Sequence, residues 1–191
     1  MPAGQLDLFA PAPALPLGFR HWDEAVPREE ERALLEACAT LDFAAFAFHG
    51  YAGRRRVVSF GRAYDFEREA LRDAPPIPPF LLALRGRVAA LAGLAPETLG
   101  QVLVTEYPPG AAIGWHRDKA VFGDVLGVSL GAHCVFRLRR RAGASWRRAS
   151  LRLEPRSAYL LRGAARTEWE HSIPPTEGLR HSVTFRTLRG A

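Results

Sequence analysis

The chain has 191 residues, enough for one domain with a full core, and 48% of them are hydrophobic. Cys38 and Cys134 lie far apart inside apolar runs, which argues against a disulfide framework or a cysteine zinc site, and no run reaches the ~20 apolar residues of a membrane helix. The net charge is +6, with Lys119 the only lysine among 26 basic residues, which suits a basic enzyme or a protein whose partner is a polyanion such as nucleic acid. No basic stretch followed by an apolar block opens the chain. A soluble cytoplasmic monomer with no membrane partner is expected.

Gln5-Leu6-Asp7-Leu8-Phe9 is followed by a Pro- and Ala-rich stretch, Ala10 to Leu17, where Pro11, Pro13 and Pro16 break regular structure. Residues 1–17 are expected to be a flexible tail and 18–191 a single domain. The Gln5–Phe9 pentapeptide resembles the one with which bacterial repair and replication proteins bind the sliding clamp; the alternative is an arm packed on its own domain.

Pro27 to Thr40 is predicted as a helix, with Glu29 to Glu31 in its first turn and Leu34, Leu35 and Cys38 as its buried stripe. Phe43 to Phe48 and Arg56 to Phe60 are predicted strands around Gly50 and Gly53. Tyr51, Arg54, Arg55, Arg56, Arg62 and Tyr64 interleave aromatics with arginines, a composition that stacks bases while neutralising phosphate. Phe60 reads as core. After the break at Pro75 to Pro79, Phe80 to Leu94 is predicted as a helix burying Leu81, Leu84, Val88 and Leu91, with Arg85 and Arg87 outside.

From Gln101 the hydrophobic period changes to that of strands: 101–107, 113–116, 124–130, 134–138, 149–153, 158–161, 169–173 and 179–188, separated by Gly, Pro and Arg breaks. Eight short strands after a smaller helical portion predict an α+β, mainly β chain, built as an antiparallel barrel or double-sheet jelly roll.

Gly114-Trp115-His116-Arg117-Asp118 carries the first chemical signal. If it is extended, His116 and Asp118 project from one face, at i and i+2. A jelly roll brings His171, on the last strand but one, toward the same mouth. Two imidazoles and a carboxylate leave three metal positions open, which suits non-haem Fe(II) holding a cosubstrate and O2. His133 is a rival third ligand. On the final strand Arg180, Ser182, Thr184 and Arg186 share one face. Arginines turned into a barrel need a partner, and a small dicarboxylate between them fits guanidinium geometry.

His116-x-Asp118, His171-Ser172-Ile173 and Arg180-x-Ser182-x-Thr184-Phe185-Arg186 resemble the AlkB family of Fe(II)- and 2-oxoglutarate-dependent dioxygenases. Tyr107-x-x-Gly110 and Arg166, five positions before His171, match its patterns too. The resemblance covers roughly 102–186. It implies a double-stranded β-helix over about 101–188 with N-terminal helices packed outside and a nucleotide-recognition lid over about 50–75. Fe(II) would sit on His116, Asp118 and His171. Arg180 would pair with the distal carboxylate of 2-oxoglutarate beside Tyr107, with Ser182 and Thr105 near the cosubstrate, Arg186 near its metal-bound end and Asp118, and Tyr51, Arg62, Tyr64 and Trp115 toward the substrate. The implied reaction is demethylation of alkylated bases in methylated DNA or RNA, with succinate and formaldehyde as products and the target base flipped out of any duplex.

Two departures bear on the substrate. Thr105 stands where such repair enzymes often carry Asn, and Ala120 where they often carry an acid against the damaged base. Arg55-x-x-Val58, Phe60-Gly61-x-x-Tyr64 and Ser182 to Arg186 are also similar to members acting on tRNA wobble uridines or on proteins. A reading from another class is a non-catalytic jelly roll that binds nucleic acid through its basic face.

Overall fold

The computed structural model describes residues 15–48 and 51–189. The Gln5–Phe9 peptide and the Tyr51 side chain, singled out above, lie outside the described residues.

The chain opens with β1 (Phe19–Trp22), α1 (Arg28–Cys38), β2 (Ala44–Phe48), β3 (Tyr51–Phe60), β4 (Arg62–Asp65) and β5 (Ala70–Asp73). Helix α2 (Pro79–Ala92) and a 3-10 turn lead into β6 (Gln101–Tyr107), β7 (Ile113–His116), β8 (Phe122–Gly131), β9 (Cys134–Ala142) and β10 (Ser145–Leu153). β11 (Ala158–Leu161), α3 (Gly163–Thr167), β12 (Glu170–Ile173) and β13 (Arg180–Leu188) complete it. A seven-stranded sheet runs β1-β11-β8-β13-β6-β3-β2 and a four-stranded sheet β10-β9-β12-β7, with β4-β5 as a separate hairpin. All pairings are antiparallel.

Strand alternation sorts the two faces of the large sheet. Val102, Val104, Val183 and Phe185 turn outward against Leu34, Cys38, Leu81, Leu84 and Val88 of the two helices, and Phe60 joins them. Leu35 and Leu91, expected in the same stripes, are only partly buried at its edge. Inside, Tyr107, Val125, Tyr159 and Leu161 meet Phe136, Leu138, Leu153 and Ile173 of the small sheet. Both cysteines are free and buried.

The strand pattern expected from 101 onward holds, with one correction. Arg139 to Arg148 does not break the β9–β10 ladder: every residue from Cys134 to Ala142 has a partner on β10. Side-chain polarity suggested a break, but exposed arginines do not interrupt backbone pairing. The short elements β1, β4, β5 and α3 carried too little periodicity to be expected.

Close packing at Gly127 gives a test. A Cβ there would lie 2.2 Å from Tyr159 Cζ, so Gly127→Ala should cost about 1–3 kcal/mol in denaturant melts. Gly86, in α2, has nothing within 4 Å of its would-be Cβ, and Gly86→Ala should raise stability by about 0.5–1 kcal/mol. The opposite order would contradict the packing described.

Candidate active site

β7 and β12 are neighbours in the small sheet, and His116 and His171 are direct partners across them. Ile113 pairs with Ile173 two residues further along β12, so β7 carries one extra residue in between. That bulge keeps both Ile113 and His116 on the inner face. The imidazole centroids lie 4.2 Å apart, and Phe136 stacks against His171 at 5.3 Å. His116 Nδ1 lies 2.9 Å from the Gly114 carbonyl oxygen; donating there leaves Nε2 with its lone pair free for a metal. Burial pushes both imidazoles down, His171 to about 3, with His116 adding to the effect there. Neutral imidazole is the form that ligates.

Asp118 lies just past the end of β7, so strand alternation does not place it, contrary to the i, i+2 argument. Arg186 does. Its Nε and Nη2 donate to Asp118 Oδ1 at 2.9 and 2.8 Å, and its Nη1 donates to Gln101 Oε1 at 2.7 Å. Burial would raise the Asp118 carboxyl, but Arg186, then His171 and His116, outweigh it and hold the group well below the usual carboxylate range. Oδ2 is buried without a hydrogen-bond partner and lies 3.7 Å from His171 Nε2. Two neighbouring donors each ~2.1 Å from a common octahedral ion stand ~3.0 Å apart, so the pair would draw together on binding one.

Arg166, 5% exposed, fixes the loop beyond Asp118. It donates to the carbonyls of Lys119 at 2.6 Å, Phe122 at 2.9 Å and Gly123 at 3.1 Å. Among the described residues no three His, Cys, Asp or Glu side chains already stand as a closed metal cage; His116, Asp118 and His171 would have to close on an ion. The orphaned carboxylate oxygen and the two neutral imidazoles fit a divalent iron.

Arg180 lies on the same strand face, one end removed. It is 1% exposed, packs 4.9 Å over the Tyr107 ring and donates from Nε to Ser129 Oγ at 3.0 Å. Its Nη1 is buried without a partner, and no carboxylate of the described residues pairs with it. Thr105 and Ser182 are buried and face one another across β6 and β13. The expectation that both arginines grip one dicarboxylate needs correcting, since Arg186 is engaged by Asp118. Arg180 alone offers an unmatched guanidinium.

Toward solvent, Tyr64 lies 6.4 Å from Phe122, and Lys119 Nζ stands 5.1 Å from the Tyr64 ring and 5.5 Å from Phe66. Arg55, 9% exposed, lies 3.5 Å over Phe46, and its charge helps to keep His116 neutral. The other substrate candidates stand apart. Arg62 pairs with Asp73 across the β4–β5 hairpin. Trp115 points to the outer face of the small sheet, between Arg137 and Arg139, because it neighbours the inward His116. His133 lies just before β9, five residues from Leu138, the partner of His171, roughly 17 Å away along the chain. Gln101, Ser129 and Phe136 were not foreseen. The signal for the first two was a polar residue at an inward position of an apolar strand.

Residues 19–189 match the family model described as the 2OG-Fe(II) oxygenase superfamily. The chain belongs to that superfamily. The oxygenase has Fe(II), 2-oxoglutarate and O2 as cofactor and cosubstrates, and its likenesses are to AlkB-type proteins. It is 33% identical over 99 residues to the alkylated DNA repair protein ALKBH8 homolog of Arabidopsis thaliana, covering 43% of this chain and 29% of that protein. It is 28% identical over 101 residues to an uncharacterized protein of Acanthamoeba polyphaga mimivirus, covering 46% of this chain and 48% of that one. The chain thus spans less than half the length of either relative. Among solved structures, OsALKBH1 superposes with a TM-score of 0.71 at 16% identity, over 89% of this chain and 96% of that one, a likeness of fold.

The Arg166 clamp predicts a local effect. In Arg166→Met three carbonyls lose their donor, so the backbone amides of 119–123 should exchange faster by at least tenfold, with a loss of about 1–3 kcal/mol in stability. Unchanged exchange would show that the loop holds itself.

Proposed function

We propose that this oxygenase removes alkyl groups from bases in nucleic acid, DNA or RNA, with iron on His116, Asp118 and His171. The observation that carries the reading is the aromatic and basic cluster of Tyr64, Phe66, Phe46, Arg55 and Lys119 next to that trio. A flat, π-faced substrate stacks on such rings while its phosphates meet the cations. The name of the Arabidopsis relative is in keeping with it.

Iron with 2-oxoglutarate and O2 supplies the oxidation of the N-methyl carbon. The chain supplies the rest. Arg180 and Ser129 orient the far carboxylate of the cosubstrate, and Tyr107 walls its channel. Arg186 and Gln101 keep Asp118 ionised and aimed. The Phe136 ring sets the plane of His171 and keeps water from its back. Residues of β4–β5 serve as the lid, which excludes solvent from the methyl group.

A second reading has the same chemistry acting on a modified tRNA base or a protein. The position of Lys119 favours it: an ammonium over Tyr64 and Phe66 opposes a cationic methylated base and accepts a neutral one. A panel of methylated DNA, RNA and peptides, scored for succinate, tests both. Methylated oligonucleotide should drive turnover, with Tyr64→Ala raising its KM about tenfold. Turnover on peptides alone would sink the reading. His116→Ala should abolish turnover while leaving oligonucleotide affinity intact, which a non-catalytic binder would not explain. For the Gln5–Phe9 peptide we propose the clamp role; its deletion should abolish binding to a sliding clamp, and unchanged binding would reject that role.

A further inference from the structure

The outer face of the four-stranded sheet carries a feature that the chemistry above does not use. The unbroken β9–β10 register puts odd residues of β9 and even residues of β10 on this face, and β7 adds Trp115. Arginines and indoles alternate across it. Arg137 lies 5.1 Å from the Trp115 ring, Arg139 lies 4.4 Å from Trp115 and 4.3 Å from Trp146, and Arg141 lies 5.3 Å from Trp146. The result is a ladder of three guanidinium rungs and two indole rungs.

Charge on this face is poorly matched. Glu170 pairs with Arg139 and Glu154 with Arg152. Arg137, Arg141 and Arg148 have no carboxylate partner among the described residues, and Arg141, Arg148 and Arg152 are exposed. Arg148 stands directly opposite Arg139 across the ladder. Like charges so placed destabilise a sheet. A ladder serving packing alone would gain from carboxylates at these positions. A polyanion removes the repulsion and uses the exposed charge.

We propose that this face binds single-stranded nucleic acid, with phosphates along Arg141, Arg148 and Arg152 and unpaired bases stacked on Trp146 and its guanidinium neighbours. Flat indole and guanidinium surfaces are what unpaired bases stack on, and a duplex hides those base faces. From Trp146 to Arg152 the strand rises about 20 Å, room for a few nucleotides, as on other sheet-face binders with sites of roughly 4–16. The face lies on the opposite side of the sheet from His116 and His171. It holds a strand away from the reacting centre, and the inference does not depend on which base is the substrate.

The test is fluorescence anisotropy of the full chain with a labelled, unmethylated oligo(dT), across a salt series. Arg141→Glu with Arg148→Glu changes two exposed side chains; it should weaken binding about tenfold or more and lower the salt slope by ~0.7 for each phosphate no longer neutralised. Trp146→Ala should weaken binding about tenfold and Trp146→Phe much less, with melting curves of both confirming the fold. Blunt duplex should bind more weakly and ignore the Trp146 change. Unaltered affinity in the double variant overturns the proposal. So does displacement of the oligonucleotide by polyglutamate at equal charge, which would mark a generic anion surface. Equal affinity for duplex, or no effect of Trp146→Ala in a folded protein, overturns the single-strand assignment. Because the probe carries no N-alkylated base and no turnover is read, failure here leaves the demethylation reading standing. Conversely, failure of that reading leaves this binding intact.

Discussion

The site depends on the rule that a buried guanidinium must meet an anion. β13 turns two arginines into the space between the sheets, and the structure treats them differently. Arg186 is neutralised within the chain: Asp118 takes two of its donors on one oxygen and Gln101 takes another. The same pair that satisfies the arginine leaves the second carboxylate oxygen bare and directed toward His171. Arg180 receives only a serine hydroxyl and the face of a tyrosine. Its charge is out of water with no anion from the described chain, a costly state unless a ligand completes it. A cosubstrate with a free carboxylate is such a ligand.

Around this strand the architecture falls into place. β13 lies near the centre of the large sheet, between β8 and β6, so its outward side chains are sealed by the two helices and its inward ones by the small sheet. β7 and β12 supply the imidazoles from across the gap. The Arg166 clamp and the Asp118–Arg186 pair then fix a loop that strand pairing alone would leave loose. The two imidazoles come from one sheet and the guanidiniums from the other, and the distance between the sheets sets the size of what fits between them.

Much of this was legible in the residues. Period-2 alternation gave the strands of the jelly roll, because each has one face in a core. The parity of Arg180, Ser182, Thr184 and Arg186 against Val183 and Phe185 is enough to assign the inward face of β13. What could not be read was anything set by register between distant strands. Gln101 faces Arg186, and Ser129 lies under Arg180, only because β6 and β8 pair with β13 as they do. Asp118 lies beyond the end of β7, where the parity on which its placement relied no longer applies. Trp115, next to the inward His116, is turned away from the site by alternation alone. The arginines of β9 and β10 looked like a break because polarity was read where only backbone pairing mattered.

The most direct measurement is calorimetric titration of two 2-oxoacids into Mn(II)-loaded protein, wild type and Arg180→Met. 2-Oxoglutarate and 2-oxobutyrate share the chelating end, and only the first has a distal carboxylate. With Arg180 as its partner, the wild type should prefer 2-oxoglutarate by at least about tenfold, the worth of a charge-assisted hydrogen bond, and Arg180→Met should erase the preference. A preference that survives the substitution in a folded, metal-loaded variant would contradict the account.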